Sequence, residues 1–421
     1  MSKEKYSAPR GTSDQLPDQI GLWQHVQRVF QEEAELHGYR EIRTPMFEET
    51  ALFERTSGDT SEVVTKQMYT FLDKGGRSIT LRPEGTAPVM RAVIENRLLP
   101  GSGQLRLWYF IQNFRYERPQ AGRMRQHHQL GLELIGGAGP GADAEVIEVV
   151  CRILARLGLG ENRVLLNSIG RAETRERFRE ALLGYLGLWL TDLEAEERAK
   201  VEKNPLRLFD SKDPKVQALM EGAPLVTEHL EDASKQHRDD LIGILDEAGV
   251  NYVLDPRLVR GLDYYTDTVF EVQSTKIGAQ SSLCGGGRYD KLISEIGGPE
   301  TPSVGFGMGV ERLLLALKES EADLPSPDAP LVVACQSPDY APQVRALARE
   351  LRAAGRIVVL DSDMRGMRQQ IKQADRLAAE YVLILGETEI AEGTVSIKNL
   401  STATQETLPR EEALRRLTLE Q

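Results

Sequence analysis

Phe114-Arg-Tyr-Glu-Arg-Pro-Gln-Ala-Gly-Arg-Met-Arg-Gln-His-His-Gln129 is the stretch on which both the fold and the chemistry turn. It joins two runs that alternate in character. Residues 105–117 put Leu105, Leu107, Tyr109, Ile111, Asn113, Arg115 and Glu117 on one face of a strand. Residues 126–135 return with Gln129, Gly131 and Glu133 on one face. A Pro- and Gly-containing loop at 119–125 closes the two into an antiparallel hairpin with polar ends on one side. Arginines at 115, 118, 123 and 125 exceed what packing of a hairpin needs. A guanidinium binds phosphate through a planar fork of donors, and Gly122 lets the backbone approach a ligand. The hairpin therefore reads as a shelf with cations at one end and amide and carboxylate groups at the other. It suits a ligand that carries both a phosphate and a cationic group. On charge pattern alone, a solvated, salt-bridged hairpin remains an equal alternative.

Working outward, the whole chain reads as an ordinary globular protein. Its 421 residues correspond to two or three domains at about 150 residues each. A hydrophobic content of 40% with 28% charged residues excludes a disordered chain, and 37 Gly with 20 Pro excludes a collagen-like one. The net charge of −12 argues against a surface coated by nucleic acid or bound to anionic lipid, though it leaves room for a local basic track. Apolar runs such as 331–335 and 381–385 fall far short of the ~18 residues of a membrane span. The first ten residues have no apolar core of the signal-peptide kind. Cys151, Cys284 and Cys335 form neither a disulfide framework nor a metal-ligand spacing, which suits a reducing cytosol. The six histidines lack zinc-type spacing as well, and adjacent His127 and His128 point to opposite faces of their strand.

Periodicity predicts helices at 19–37, closed by Gly38, and at 143–157. From about 170 to 250 the composition turns to Glu, Arg, Lys and Leu with helical spacing, which reads as a helical insertion. Strand patterns resume at 264–273 and 281–284, and 304–308 leads into a helix at 310–318. The proline-rich stretch Leu324-Pro-Ser-Pro-Asp-Ala-Pro330 marks a linker. Beyond it, alternating strands and helices predict a separate α/β domain with a mainly parallel sheet. The predicted boundaries are thus 1–325, with 170–250 inserted, and 330–421.

Four further segments carry chemistry. In Leu81-Arg-Pro-Glu-Gly-Thr86, a turn carboxylate at Glu84 and a hydroxyl at Thr86 can bind an ammonium group, or serve only the turn. Leu258-Val-Arg-Gly-Leu-Asp-Tyr-Tyr265 joins Arg260 to Tyr264 and Tyr265; paired tyrosines more often pack than react. Gly285-Gly-Gly-Arg-Tyr-Asp290 lets backbone lie against a flat ligand, or forms a bulge, and lacks the spacing of a phosphate loop. Gly305-Phe-Gly-Met-Gly-Val-Glu-Arg312 is a glycine-alternating strand that runs into a helix headed by Arg312, a candidate for the far end of a polyphosphate. In the last domain Arg365, Arg368, Lys372 and Arg376 form a basic stripe, either a solvated face or a track for a nucleic-acid backbone.

Taken together these segments resemble the class II aminoacyl-tRNA synthetases, and specifically the histidyl-tRNA synthetase family. Arg43-Thr-Pro-Met-Phe-Glu48 is similar to the family's first motif, a dimer-interface element; 114–129 and 305–312 match its second and third motifs. The segments 258–265 and 285–290 resemble its two histidine signatures. The resemblance implies an α+β catalytic domain on an antiparallel sheet with a helical insertion, plus a C-terminal α/β anticodon-binding domain. It implies ATP-dependent attachment of histidine to its tRNA through histidyl-adenylate, releasing AMP and diphosphate, in a cytoplasmic homodimer with Mg2+ accompanying ATP and no prosthetic group. By carry-over, Arg115 holds the α-phosphate, Arg312 the γ-phosphate, and Arg260 stabilises the pentavalent phosphorus. Glu84, Thr86 and Gln129 take the amino and carboxylate groups, while Glu133 and Tyr265, with Tyr264 in the same pocket, read the imidazole. Glu117 lies near adenine or magnesium, and Arg118 and Gln120 meet the tRNA acceptor end. His127 departs from the family, which usually has a phenylalanine stacked on adenine there; an imidazole also stacks, so ATP binding is expected to survive. The rival implied by the same resemblance is a catalytically inactive paralogue, a regulatory subunit of ATP phosphoribosyltransferase. That paralogue typically lacks an intact 258–265 segment and the anticodon-binding domain.

Overall fold

The computed structural model describes residues 6–57, 63–99, 101, 103–120, 122–189, 193–194, 197–198, 201, 205–211, 213–260, 264–274, 282–320 and 329–419. Gly261, Leu262 and Asp263 of the tyrosine segment, Ser281, and most of the expected linker lie outside them. The chain forms two compact units, 1–325 and 326–421.

The first unit contains strands β1 (Arg40–Glu41), β2 (Phe47–Glu49), β3 (Tyr69–Leu72), β4 (Ser78–Leu81), β5 (Leu105–Phe114), β6 (Gln126–Ile135), β7 (Asn162–Ser168), β8 (Tyr252–Leu254), β9 (Thr266–Ser274), β10 (Ser282–Arg288) and β11 (Ser303–Gly309). Eight of them make one sheet in the order β1-β5-β6-β11-β10-β9-β7-β8. Its pairs are antiparallel except β1–β5 and β7–β8. Period-two alternation decides what each face does. Leu130, Leu132 and Leu134 of β6, with Val304, Phe306 and Met308 of β11, point into the main core. There they meet apolar stripes from the helices Pro17–Leu36, Pro140–Arg156, Asp232–Glu247 and Val310–Glu319. The first of these starts with Pro17 at its first position and stops at Gly38, whose φ of +80° suits only glycine at low cost. The other face carries the odd-numbered residues of β6 and a second apolar cluster that includes Tyr109, Ile111, Tyr264, Tyr265 and Tyr289. The helix Thr86–Glu95 adds Val89, Met90 and Val93 to that cluster.

Between β7 and β8 the described residues are helical or irregular. Phe178 to Val226 contribute a cluster of their own, whereas Leu241 and Leu245 of the helix Asp232–Glu247 pack into the main core. No described helix is long and apolar enough to cross a membrane.

The second unit has β12 (Leu331–Cys335), β13 (Val358–Leu360), β14 (Tyr381–Leu385), β15 (Thr394–Asn399) and β16 (Gln405–Pro409), ordered β13-β12-β14-β15-β16. The sheet is mixed rather than mainly parallel. β12 runs parallel to β13 and β14, but β14–β15 and β15–β16 are antiparallel. The sequence gives no strand signal at β16, because Gln-Glu-Thr-Leu-Pro has no apolar alternation and lies exposed at the sheet edge.

Candidate active site

The hairpin of β5 and β6 holds full register from Leu105 opposite Ile135 to Phe114 opposite Gln126. That register delivers Asn113, Arg115, His127, Gln129 and Glu133 to one side of the sheet. The opposite side of β6 takes His128, packed on Phe110 and Trp23 and bonded through Nδ1 to Glu311 at 2.9 Å. The two adjacent histidines therefore do separate jobs.

A cavity of about 350 Å³ opens on the cleft side, lined by Glu84, Thr86, Arg115, Glu117, Arg123, His127, Gln129, Arg260, Tyr264, Tyr265, Tyr289 and Arg312 among others. Three arginines from three distant stretches thus share one cavity with the amide, carboxylate and phenol groups. Arg115 donates from Nε to the Pro83 carbonyl at 2.7 Å. Arg260 donates to Glu271 at 2.6 Å and Arg312 to the Ser282 carbonyl at 2.9 Å. Burial pulls the Arg312 pKa below its ordinary value, and the nearby charge of Arg123 adds to that. His127 is pushed down to about 3, first by burial and then by the Arg115 charge, so its ring is neutral at physiological pH.

The glycine runs work differently from a bare floor for a flat ligand. A Cβ on Gly285 would collide with the Arg260 guanidinium, and one on Gly307 with the Gln129 amide. These glycines leave the room in which functional side chains of other segments lie flat on the sheet.

At the acidic end, Glu84 accepts from the backbone N–H of Thr86 at 2.6 Å and of Ala87 at 3.0 Å. It thereby caps the helix Thr86–Glu95 while lining the cavity, so the turn role and the site role coincide. Burial raises its pKa, and the two backbone N–H groups oppose the rise. Glu133 is fully buried and lies behind the cavity wall. It accepts from Thr86 Oγ1 at 2.9 Å, from Tyr109 at 3.0 Å, and from Tyr289. Burial pushes its carboxyl up to about 8. Tyr264 stands 4.9 Å from Tyr265 and edge-on to Tyr289, ring to ring. Gln129 accepts from buried Asn113 Nδ2 at 2.7 Å, which turns its own NH2 toward the cleft.

The sequence alone assigns no role to Tyr109, Tyr289 or Asn113, and Arg123 stands in it only among the four hairpin arginines that suit a phosphate. Arg123 pairs with Glu117 on the cavity wall. Arg125 faces elsewhere: its guanidinium lies 3.9 Å from the Tyr116 ring centroid, and its stem packs on Gly11. Arg118 and Gln120 are exposed at the hairpin connection, away from the cavity lining. In the second unit, Arg368, Lys372 and Arg376 lie exposed on the helix Met367–Arg376, and Arg365 pairs with Asp361 just before it. Among the described residues no group of three or more His, Cys, Asp or Glu is arranged to hold a metal ion.

Comparison with known proteins gives a consistent answer. A family model described as histidyl-tRNA synthetase matches residues 11–313, and one described as anticodon binding domain matches 331–419. A histidine–tRNA ligase from a Cyanothece species is 47% identical over 413 residues, covering 98% of this chain and 96% of the relative. The crystal structure of apo S. aureus histidyl-tRNA synthetase superposes with a TM-score of 0.82 at 34% identity, covering 98% of this chain and 100% of that one. A Bacillus halodurans structure titled as an ATP phosphoribosyltransferase regulatory subunit/histidyl-tRNA synthetase gives a TM-score of 0.67 at 25% identity, over 92% of this chain and 99% of that one.

Proposed function

The chain belongs to the histidyl-tRNA synthetase family, and on that premise we propose how its cleft carries out the ligation. The activity is that of a histidine–tRNA ligase (EC 6.1.1.21), with histidine, ATP and tRNA(His) as substrates. In the proposed assignment the triphosphate lies along the arginines. Arg115 holds the α-phosphate, Arg312 the γ-phosphate, and Arg260 neutralises the charge that grows on the pentavalent phosphorus. The histidine carboxylate attacks the α-phosphorus and the bond to the pyrophosphate oxygen breaks, leaving histidyl-adenylate. The 3′-hydroxyl of the terminal tRNA adenosine then takes the acyl group and AMP departs. Neither step needs a protein nucleophile; positioning and charge neutralisation suffice.

The observation that carries this reading is the convergence of Arg115, Arg260 and Arg312 on one cavity beside Glu84, Thr86, Gln129 and Tyr264. Glu84 and Thr86 face the ammonium of the amino acid, and Gln129 offers its NH2 to the carboxylate. The imidazole approaches Tyr265 and displaces one hydroxyl from Glu133 to reach it. His127 stacks on adenine. Magnesium bound to the ATP phosphates would neutralise part of their charge, and Glu117, which pairs with Arg123, would be the carboxylate beside it. Arg118 and Gln120 meet the acceptor end of the tRNA, and the unit matching the anticodon binding domain takes the other end.

We further infer a homodimer in the cytoplasm. The register of the small sheet β2-β4-β3 sets Phe47, Leu81, Tyr69 and Phe71 on one face, and Phe47 and Phe71 are exposed there. A second copy would cover that apolar surface.

The test is ATP–pyrophosphate exchange across a panel of amino acids. Exchange with histidine alone is expected. No exchange with purified protein, histidine and magnesium would favour the regulatory-subunit reading instead.

A further inference from the structure

The two tyrosines of the cleft precede β9, and the backbone just beyond them is irregular. Asp267, two residues after Tyr265, has a φ of +49°, in the left-handed region that few side chains enter. The pairing of β9 with β10 slips at the same place: Gly287 faces Val269, but Arg288 faces Thr266. Such a bulge re-aims the side chains next to it.

Asp267 has no exposure, and its polar groups are taken by one neighbourhood. Its N–H donates to the Gly170 carbonyl at 3.0 Å, and its carbonyl accepts from the Ile169 N–H at 2.8 Å. One carboxylate oxygen accepts from Arg171 Nε at 2.9 Å and the other from the Ser234 hydroxyl. Residues 169–171 lead from β7 into the helix Ala172–Gly187, and Ser234 lies in the first turn of the helix Asp232–Glu247. These helices begin and end the described helical stretch between β7 and β8. They are bound to each other as well: Glu231 accepts from the Arg171 N–H at 3.3 Å, from Ser234 at 3.0 Å and from Thr174. Arg175 reaches the Tyr265 carbonyl itself at 3.4 Å.

We propose that Asp267 is a positioning residue for the amino-acid end of the cleft. The helical stretch grips the bulge from both of its ends and thereby sets where Tyr264 and Tyr265 stand. This rests on the reading of those tyrosines as histidine contacts. The geometry explains the residue type: an aspartate tolerates the left-handed backbone and supplies a carboxylate that two donors from two helices can hold. It also separates the two ends of the cleft. A shift of these helices reaches the tyrosines directly, whereas Arg115 and Arg312 hang from the β5–β6 hairpin and the helix Val310–Glu319.

The experiment measures KM for histidine and for ATP separately, in pyrophosphate exchange with the full chain. The variants are Arg171→Ala, Asp267→Gly, Asp267→Asn and, as a control on the reading, Tyr264→Phe. Arg171 is 52% exposed, but its loss leaves the buried Asp267 carboxylate on Ser234 alone, so the melting temperature of each variant is read beside its KM values. Glycine keeps the backbone turn and removes the grip; asparagine keeps the turn and part of the bonding. Asp267→Gly and Arg171→Ala should raise the histidine KM about ten-fold and hold the ATP KM within about two-fold, with Asp267→Asn intermediate. Both constants rising together, or a lowered melting temperature with unchanged KM, would reduce Asp267 to a structural residue. If Tyr264→Phe raises the histidine KM while the other three do not, the inference fails and the tyrosine reading stands. If all four leave it unchanged, both fall.

Discussion

Arg288 and the arginines of the cleft are the same side chain put to opposite uses. Arg288 is buried with every guanidinium nitrogen occupied. Nε meets Asp143 at 3.2 Å, Nη1 meets the Gly137 carbonyl at 2.8 Å and Asp290 at 3.1 Å, and Nη2 meets the Gly139 carbonyl at 3.1 Å and Asp143 again. Burial opposes its charge, and the charges of Asp143 and Asp290 more than restore it. The Arg312 pKa is instead lowered, chiefly by burial, and the nearby Arg123 and Arg260 add to this against the opposing charges of Glu271 and Glu117. Arg115 likewise has its pKa lowered by burial. A guanidinium whose donors all find protein acceptors is a strut. A group of guanidinium cations gathered from separate segments around one cavity suits a polyanion.

The contrast makes two opposite predictions. Arg260→Ala should lower pyrophosphate exchange by about a thousand-fold or more, while histidine still binds and the melting curve barely moves. Unchanged exchange would remove Arg260 from the mechanism. Arg288→Ala should do the reverse first. It leaves the buried Asp143 with His237 alone and lowers stability by roughly 3–5 kcal/mol, read as a shifted denaturant midpoint. If Arg288→Ala unfolded at the wild-type midpoint yet lost exchange, Arg288 would belong to the site rather than to the framework.

Sequence reading could not make this distinction, because Arg288 sits in the same glycine-rich segment as Tyr289, which does line the cleft. What could be read was the hairpin, since β5 and β6 alternate over ten residues each and the register follows from that alternation. Arg115, Arg260 and Arg312 could be picked out by type and segment. The surroundings of Glu133 could not. Tyr109 reads as one more apolar strand residue and Tyr289 lies 156 positions away, so only the folded sheet brings their hydroxyls to one carboxylate. Asn113 was visible on the correct face, but that its amide orients Gln129 depends on cross-strand spacing rather than residue type. The Asp267 bulge has no sequence signal at all, because aspartate in a strand predicts a weak strand, not a left-handed turn within one.

Glu133 extends the comparison to carboxylates. Asp143, paired with Arg288 and His237, has its pKa held below the ordinary value even though burial pushes the other way. Glu133 has hydroxyl partners only, and burial carries it from 4.5 up to about 8. The sign of the linkage follows. A carboxyl raised on folding adds stability that is complete below its unfolded pKa and is lost as pH climbs through the folded one. Without ligands, the stability of the wild type relative to Glu133→Gln should therefore fall between about pH 4.5 and 8 and level off above that, by a few kcal/mol at about 1.4 kcal/mol per unit. Melting curves of both proteins from pH 4 to 9 test it. Parallel curves would mean that the hydroxyls stabilise the ionised carboxylate fully, against the burial argument.

The smallest effect concerns the neighbours His127 and His128, which contrast across one strand. His128 packs on Phe110 and Trp23 and is bonded to Glu311, so a change there disturbs packing. His127 is a neutral ring on the cavity wall, and its proposed contact with adenine is a stack of flat surfaces. If stacking is all it contributes, a larger apolar ring should serve at least as well. Base–aromatic stacking amounts to about 1–3 kcal/mol per base, and exchanging one ring for another alters only part of that. His127→Phe should then lower the ATP KM about two- to five-fold, with the histidine KM unchanged. His127→Ala should raise the ATP KM by about ten-fold or more through loss of the whole stack. Neither change should depend on pH between 5 and 8, because the imidazole titrates at about 3. A phenylalanine variant that binds ATP ten-fold more weakly would overturn the stacking role. It would assign the ring nitrogens a hydrogen bond to the nucleotide that no phenyl ring can make.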